Sequence, residues 1–361
     1  MGGEKGMISL LIVVSLALPT CAANAASPEA LAEAETSLAP DRVARLEAAT
    51  HYSDQHYGRA VLVMEGDRVI WERYRRGLHP DEPKQIFSGT KTFLCAVAVA
   101  AETDGLLDLD QPASVWLTEW QDDPAKATIT GRQLLQQTSG LEQDFPRSAI
   151  DAIRPFPRIG DKQSWAVAQP AVSTPGERFD YGCMHMLAFS ELVERAIGET
   201  ALAYLERRIF EPIGLEHGPW KHDPSGNAMF AVGATLTARD WARFGVLMRD
   251  DGASESEQVL PPGALSACSE GSEANAAYGL ALWLNQPIDA DLVERLPGSF
   301  HYFHPEAALL PGGPDDLVAA LGWRHNRLYV IPSQDLVIVR YGRWQGGYRD
   351  AEFLALLLGV P

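Results

Sequence analysis

Strand-like segments occur near both ends of this 361-residue chain, and a helix-rich stretch separates them. Residues 58–77 contain two β-rich runs around Gly66-Asp67, a pattern that is typical of a hairpin. Three more such runs, "LVAALGW", "RLYVIP" and "DLVIVRYG", follow near the C terminus, and residues 328–331 and 336–341 predict a second hairpin. The simplest architecture is one sheet made from both chain ends, with a helical lobe inserted between them.

The first 25 residues predict a secretory signal peptide rather than part of the fold. Lys5 precedes an apolar run over 7–18, and Ala23-Asn24-Ala25 supplies an A-x-A-type cleavage site after Ala25. We therefore expect a periplasmic or secreted protein. Lipoprotein processing at Cys21 is the weaker alternative, because the preceding "LPT" suits that reaction poorly. No later run is apolar enough to span a bilayer, so no membrane span is expected.

Charge and cysteine content exclude several classes of protein. The formal net charge is −18, and losing residues 1–25 removes one acidic and one basic residue, so we expect neither nucleic acid nor an anionic lipid surface as a partner. Cys95, Cys183 and Cys268 remain after cleavage, and an odd number means at least one free thiol. One disulfide is possible, and the sequence leaves the pair open. The sequence does not address the oligomeric state.

"FSGTKTF" places Ser88 three positions before Lys91 at the start of a predicted helix. Residues i and i+3 share a helix face, so the amine can reach the hydroxyl. A serine becomes a nucleophile when a base takes its proton, and lysine serves as that base when burial disfavours its charge. The apolar run after Lys91 provides such surroundings. The alternative is a helix-capping serine beside a solvated lysine.

Tyr181, in "FDYGCMH", is a candidate third member of the site because it follows the Pro175-Gly176 turn and precedes a helix. A phenol can relay a proton between a serine, a lysine and a leaving group. The alternative for a loop tyrosine is a packed ring with its hydroxyl in water.

Several segments, in order, resemble the serine β-lactamase/penicillin-binding-protein superfamily, in the branch related to class C β-lactamases. "IFSGTKTFLCAVAVAAETDGLLDLDQPASVWL" is similar to its nucleophile helix, "ATITGRQLLQQTSGL" to its "ITIRHLLTHTSGL" stretch, and "TPGERFDYGCMHMLAFSELVERAIG" to its Tyr-x-Asn segment. "GATLTARDWARFGVLMRDDG", "YGLALWLN" and "LYVIPSQDLVIV" resemble a later helix and the last strands. The resemblance covers about residues 40–355.

The resemblance implies an α+β fold of the β-lactamase/transpeptidase type, with a mainly antiparallel sheet flanked by helices. We expect an α/β lobe from residues 26–104 and 226–361, a helical lobe from 105–225, and the active site between them. Ser88 is the implied acylated nucleophile, Lys91 its base and Tyr181 the proton relay. The backbone N–H of Ser88 and another from the strand near Trp323–Arg324 form the implied oxyanion hole. No metal or other cofactor is implied.

Two departures from the family pattern concern substrate binding. Cys183 replaces the asparagine of Tyr-x-Asn, and a thiol is a poor donor for an acyl amide. Trp323-Arg324-His325 replaces Lys-Thr-Gly, so the lysine that would bind a β-lactam carboxylate is absent. His325 stands in place of the glycine, and we expect its bulk to crowd the strand along which the substrate would lie. These changes favour an esterase or amidase acting on a small-molecule ester or amide over a β-lactamase or a D-amino-acid peptidase.

Three other hypotheses are weaker. His301, His304 and His325 suggest a metal site, but no H-E-x-x-H or paired-cysteine spacing accompanies them. Cys183 and His185 suggest a Cys–His pair, but residues two apart on a helix face different ways. The hypothesis from another class is a non-catalytic protein that retains the fold and binds a peptide or a cell-wall ligand.

Overall fold

A six-stranded antiparallel sheet forms the centre of the fold. The computed structural model describes residues 27–143, 160–254, 257–289, 291–292, 308–343 and 347–360. Its strands are β1 (Ala60–Glu65), β2 (Arg68–Tyr74), β3 (Lys84–Gln85), β4 (Thr235–Leu236), β5 (Trp283–Leu284), β6 (Val318–Gly322), β7 (Asn326–Ile331) and β8 (Leu336–Tyr341). The large sheet has the order β2-β1-β8-β7-β6-β5, and β3 pairs separately with β4. Because β1 lies beside β8, the two ends of the chain meet in one sheet, as the sequence predicts.

The helices of the described residues are α1 (Pro28–Ser37), α2 (Pro40–Gln55), α3 (Phe93–Thr103), α4 (Gly131–Leu135), α5 (Lys162–Val167), α6 (Met184–Ile197), α7 (Ala201–Leu205), α8 (Ala238–Arg249) and α9 (Asp350–Leu358). Gly198 ends α6 with a φ of 76°, a left-handed conformation that glycine adopts readily. Thr130 opens α4 with a capping box that includes Gln133. Helix α1 was not predicted from the sequence. None of these helices is long and apolar enough to cross a bilayer.

The sheet is covered by helices on both faces. Alternate side chains of β7 and β8 enter two different apolar clusters, as the period of two in a strand requires. One cluster includes α8 and the strand residues Leu328, Val330, Val337 and Val339. The other includes α2, α9 and the strand residues Tyr329, Ile331 and Ile338. A Cβ at Gly245 of α8 would overlap the side chains of Val337 and Leu328, so glycine allows the helix to approach the sheet closely.

The α+β fold that the resemblance implies is therefore confirmed. The described part of 105–225 carries helices α4 to α7 and contributes no strand to the six-stranded sheet. The division into two lobes with these boundaries remains a prediction. Residues 1–25, with Cys21, lie outside the described residues, as do His301 and His304.

A disulfide joins Cys95 in α3 to Cys268, and their Cα atoms lie 6.2 Å apart. Cys183 is a buried free thiol. The odd cysteine count is thus resolved as one bridge and one thiol. The bridge closes a sequence separation of 173 residues and ties the helix after Ser88 to the segment that precedes β5.

Candidate active site

Ser88 and Lys91 lie in a 3₁₀ helix, Phe87–Thr92, that leads directly into α3. The sequence predicts an α-helical start here, and the structure corrects this in a way that favours the pair. Side chains at i and i+3 eclipse each other in a 3₁₀ helix, because it has three residues per turn. Lys91 Nζ lies 3.2 Å from Ser88 Oγ, which is within reach for proton transfer.

Lys91 is buried, with 1 % of its surface exposed, so the alternative of a solvated lysine is wrong. Its Nζ also donates to the carbonyl oxygen of Ala231 at 2.9 Å. The carbonyl and the Ser88 hydroxyl together fix the direction of the lysine side chain. Ser88 itself is partly exposed, so the hydroxyl that Lys91 reaches remains open to a ligand.

The backbone before Ser88 adopts an uncommon conformation. Phe87 has a φ of 53°, a left-handed conformation that costs a non-glycine residue roughly 1–2 kcal/mol. Two neighbouring contacts hold it, since Thr90 Oγ1 donates to the Phe87 carbonyl at 2.6 Å and accepts from the Ala234 N–H at 3.1 Å. Such conformations persist where the surroundings over-determine them, and they concentrate at functional sites.

Tyr181 joins this pair from a segment 90 positions further along the chain. Lys91 Nζ lies 5.1 Å from the centre of the Tyr181 ring, and Tyr181 is 4 % exposed. The ring stacks on Trp283 with centroids 5.7 Å apart and meets Tyr278 edge-on at 6.0 Å. The three side chains expected from the sequence are therefore brought into one cluster.

One residue that sequence reasoning missed, Gln137, holds the Tyr181 segment. Gln137 accepts from the Gly182 N–H at 2.6 Å and donates to the Tyr278 hydroxyl at 2.7 Å, and its own carbonyl accepts from the Asp180 N–H. Gln137 is fully buried and has a φ of 59°. The only signal in the sequence is its place just before Thr138-Ser139-Gly140, in the segment that resembles the family.

His185 is buried behind the cluster, and both of its ring nitrogens are engaged. Nε2 lies 2.9 Å from the Asp180 carbonyl oxygen, to which it donates, and Nδ1 lies 2.8 Å from Ser139 Oγ. Burial is the main cause that lowers the pKa of His185 to about 4. The hydrogen bond to the Asp180 carbonyl raises this pKa, and the charge of Lys91 lowers it further. The ring is therefore neutral at pH 7 and buttresses the backbone just before Tyr181.

Cys183 is 2 % exposed and precedes α6. Burial raises the pKa of its thiol, and the charge of Lys91 acts in the opposite direction with a smaller effect. A protonated thiol is a poor nucleophile. Since His185 is occupied by Ser139 and Asp180, the hypothesis of a Cys183–His185 pair is wrong.

Trp323, Arg324 and His325 form a turn between β6 and β7, whereas the sequence suggests a strand. The Trp323 ring meets the Phe87 ring edge-on at 5.1 Å, which places the turn beside the nucleophile segment. The exposed Arg324 guanidinium lies over both rings, 5.4 Å from the Phe87 centroid. His325 is 3 % exposed and packs on Tyr348, 5.2 Å between ring centres, so its bulk points into the interior and does not crowd the site.

The metal hypothesis gains no support from the geometry. His325 is buried beside Tyr348, and His301 and His304 lie outside the described residues. Within the described ranges, no group of three or more histidine, cysteine or acidic side chains is placed to hold a metal ion.

Comparison with known proteins identifies the fold and the family. The fold is that of the serine β-lactamases and penicillin-binding proteins, since a penicillin-binding protein homologue from Caulobacter crescentus superposes with a TM-score of 0.67 at 15 % identity, over 89 % of this chain and 97 % of that chain. The family model described as Beta-lactamase matches residues 43–359, and the chain belongs to this family.

Two relatives at 24 % identity are hydrolases by name. A 6-aminohexanoate-dimer hydrolase from Paenarthrobacter ureafaciens aligns over 345 residues, 91 % of this chain and 83 % of that protein. A D-aminopeptidase from Brucella anthropi aligns over 85 % of this chain but 61 % of its own length, so this chain spans less than two thirds of it. These names indicate a hydrolase of the β-lactamase fold.

Proposed function

We propose that this chain is an exported serine hydrolase that cleaves small esters or amides through an acyl-enzyme on Ser88. The observation that carries the proposal is the 3.2 Å separation between Lys91 Nζ and Ser88 Oγ, at a lysine that is 1 % exposed. At this distance the amine is within hydrogen-bond reach of the hydroxyl, so Lys91 is placed to accept its proton.

The reaction has two steps. Ser88 Oγ attacks the carbonyl carbon as its proton passes to Lys91, directly or through Tyr181, and the leaving group takes a proton through Tyr181 as its bond to the acyl carbon breaks. Water then attacks the acyl-enzyme, returning the proton to Ser88 and releasing the acid. The Ser88 N–H and a backbone N–H from the turn 323–325 are the proposed donors to the tetrahedral oxygen.

We propose esters and amides rather than β-lactams as substrates, because the residues that would bind a β-lactam differ from those of the family pattern. Cys183 and Trp323 stand where the family pattern has asparagine and lysine. Cys183 is buried, while Trp323 and the exposed Arg324 offer an aromatic and cationic rim beside Ser88. Within this proposal, amide cleavage is supported by the similarity to the 6-aminohexanoate-dimer hydrolase, which covers 91 % of this chain and 83 % of that protein.

Export to the periplasm or the medium is part of the proposal. It is supported by the signal-like residues 1–25 and by the Cys95–Cys268 disulfide, since disulfides persist mainly in oxidising compartments.

The test is covalent labelling of the mature protein with a fluorophosphonate, followed by peptide mass spectrometry and assays with a nitrophenyl ester and with nitrocefin. The native protein should gain one adduct on Ser88 and hydrolyse the ester, and Ser88→Ala should do neither. Ser333→Ala, which changes a serine of the β7–β8 turn bonded to Asp316, is the matched control and should behave as the native protein does.

The alternatives give different results. A non-catalytic binding protein would show no adduct and no ester turnover. Nitrocefin hydrolysis lost in Ser88→Ala would assign β-lactamase activity. An adduct on a residue other than Ser88 would overturn the proposal.

A further inference from the structure

The turn 323–325 holds two consecutive left-handed residues, and neither is glycine. Arg324 has a φ of 64° and His325 a φ of 59°. Each such residue is disfavoured, because its Cβ approaches the following carbonyl oxygen. The turn therefore needs outside contacts to keep this shape.

The strained turn lies against the nucleophile segment. A Cβ at Gly322, the residue before the turn, would overlap the carbonyl oxygen of Ile86. Asn326, the residue after it, donates from Nδ2 to the Gln85 carbonyl at 3.0 Å. Both ends of the turn thus touch the backbone that leads into Ser88, and a change in the turn changes the wall of the site.

Two buried arginines hold the ends of the turn from beneath. Arg327 Nη1 donates to the Gly322 carbonyl at 2.7 Å, and its Nη2 lies 3.4 Å from His325 Nδ1. Arg340 Nη1 donates to the His325 carbonyl at 2.8 Å. The two arginines are direct partners in the β7–β8 register, and they are 6 % and 0 % exposed.

Two buried arginines opposite each other on neighbouring strands reduce the stability of the sheet. Like charges directly opposite each other on neighbouring strands are destabilising, and buried charges are costly even when paired. Arg327 is paired with Asp350, at 2.6 Å from Nε. Arg340 lies 3.9 Å above the Tyr348 ring and donates to Ser53 Oγ at 2.9 Å. Apolar side chains would cover this face of the sheet as well, but they could not donate to the two carbonyls of the turn.

We propose that Arg327 and Arg340 are positioning residues that hold the turn 323–325 in its left-handed conformation against Ser88. The proposal rests on the proposed role of Ser88 as the nucleophile. It gives a physical reason why a chain of this family tolerates His325 where its pattern has glycine: the hydrogen bond to the His325 carbonyl replaces the conformational freedom of glycine.

The experiment compares the rate of fluorophosphonate labelling of Ser88 and the kcat and KM for a nitrophenyl ester in Arg340→Lys and in the native protein. A lysine keeps the charge but cannot hold Ser53 and the His325 carbonyl together. We expect labelling and kcat to fall about tenfold to a hundredfold with KM little changed, the scale that a displacement of about 1 Å produces.

Arg249→Lys is the matched control. Arg249 is also a buried arginine that donates to a backbone carbonyl, that of Gly66, but it lies at the opposite end of the strands, beside Asp67 and Asp335. The Arg249→Lys substitution should lower the midpoint of thermal unfolding, as Arg340→Lys does, but it should leave the rate of Ser88 labelling in the folded protein unchanged.

The second part of the test is rescue. Arg324→Gly removes one of the two disfavoured conformations, since glycine adopts a positive φ without steric cost. The loss caused by Arg340→Lys should therefore be smaller in the Arg324→Gly background than in the native one. A merely structural role for Arg340 predicts the same loss in both backgrounds.

The outcomes separate the two proposals. Native protein that is not labelled on Ser88 overturns the proposed function. Labelled native protein, with Arg340→Lys no slower than Arg249→Lys, overturns the positioning role. If Arg340→Lys does not fold, Ser53→Ala loosens the same guanidinium by removing one acceptor, and a labelling rate equal to the native rate overturns the positioning role.

Discussion

Acidification is expected to destabilise this protein through one histidine of the site. His185 is fully buried, donates from Nε2 to the Asp180 carbonyl and accepts at Nδ1 from the Ser139 hydroxyl. Protonation would place a hydrogen on Nδ1, which then could no longer accept the hydrogen bond from the Ser139 hydroxyl. It would also bury a positive charge near Lys91. These are the physical reasons why the folded protein resists protonation at this position.

The magnitude follows from linkage. Burial lowers the pKa of His185 from 6.5 to about 4, so the unfolded chain binds this proton more readily than the folded protein does. The stabilisation is fully present above about pH 6.5, declines as the pH falls, and is lost at about pH 4. A difference of this size corresponds to roughly 3 kcal/mol in the free energy of unfolding.

The assay is urea unfolding of the native protein and of His185→Gln at a series of pH values across this window. Glutamine can still donate to the Asp180 carbonyl but does not titrate. We expect His185→Gln to be less stable at neutral pH and to lose much less stability on acidification, so that the two curves converge. Parallel curves from neutral pH to about pH 4 would refute the reasoning, because they would show that His185 does not carry the pH dependence.

Three further outcomes are expected. Lys91→Met should lower the labelling rate of Ser88 by about 100- to 10,000-fold, which is the usual contribution of a general base. Lys126→Met changes another buried lysine and should leave this rate unchanged. Equal losses in the two variants would argue against Lys91 as the base. Tyr181→Phe should reduce kcat for the nitrophenyl ester about a hundredfold, and unchanged turnover would exclude the relay. Reduction of Cys95–Cys268 should lower the free energy of unfolding by up to about 5 kcal/mol, as measured by urea unfolding with and without dithiothreitol, because the bridge closes a 173-residue separation. An unchanged midpoint would show that the bridge does not stabilise the fold.

Local patterns predicted most of the elements. Period-two runs located the β1–β2 and β7–β8 hairpins, because this signal depends on neighbours in the chain. The Ser-x-x-Lys spacing likewise brought Ser88 and Lys91 together, since three positions span about one turn of either helix type.

The remaining features were decided by contacts between distant segments. Sequence could not choose Cys268 as the partner of Cys95, because pairing depends on the distance between their Cα atoms in the folded chain. Nor could it show that His325 turns inward, because the left-handed conformation of the turn is held by Arg327 and Arg340 from neighbouring strands.

The sequence by itself determined which side chains could do the chemistry, and the tertiary structure decided whether they meet. The spacing of Ser88 and Lys91 is a property of one helical turn, so it is present in the sequence. The position of Tyr181 beside Lys91 and the burial of Lys91 to 1 % exposure depend on packing between segments about 90 residues or more apart. No local pattern specifies such packing.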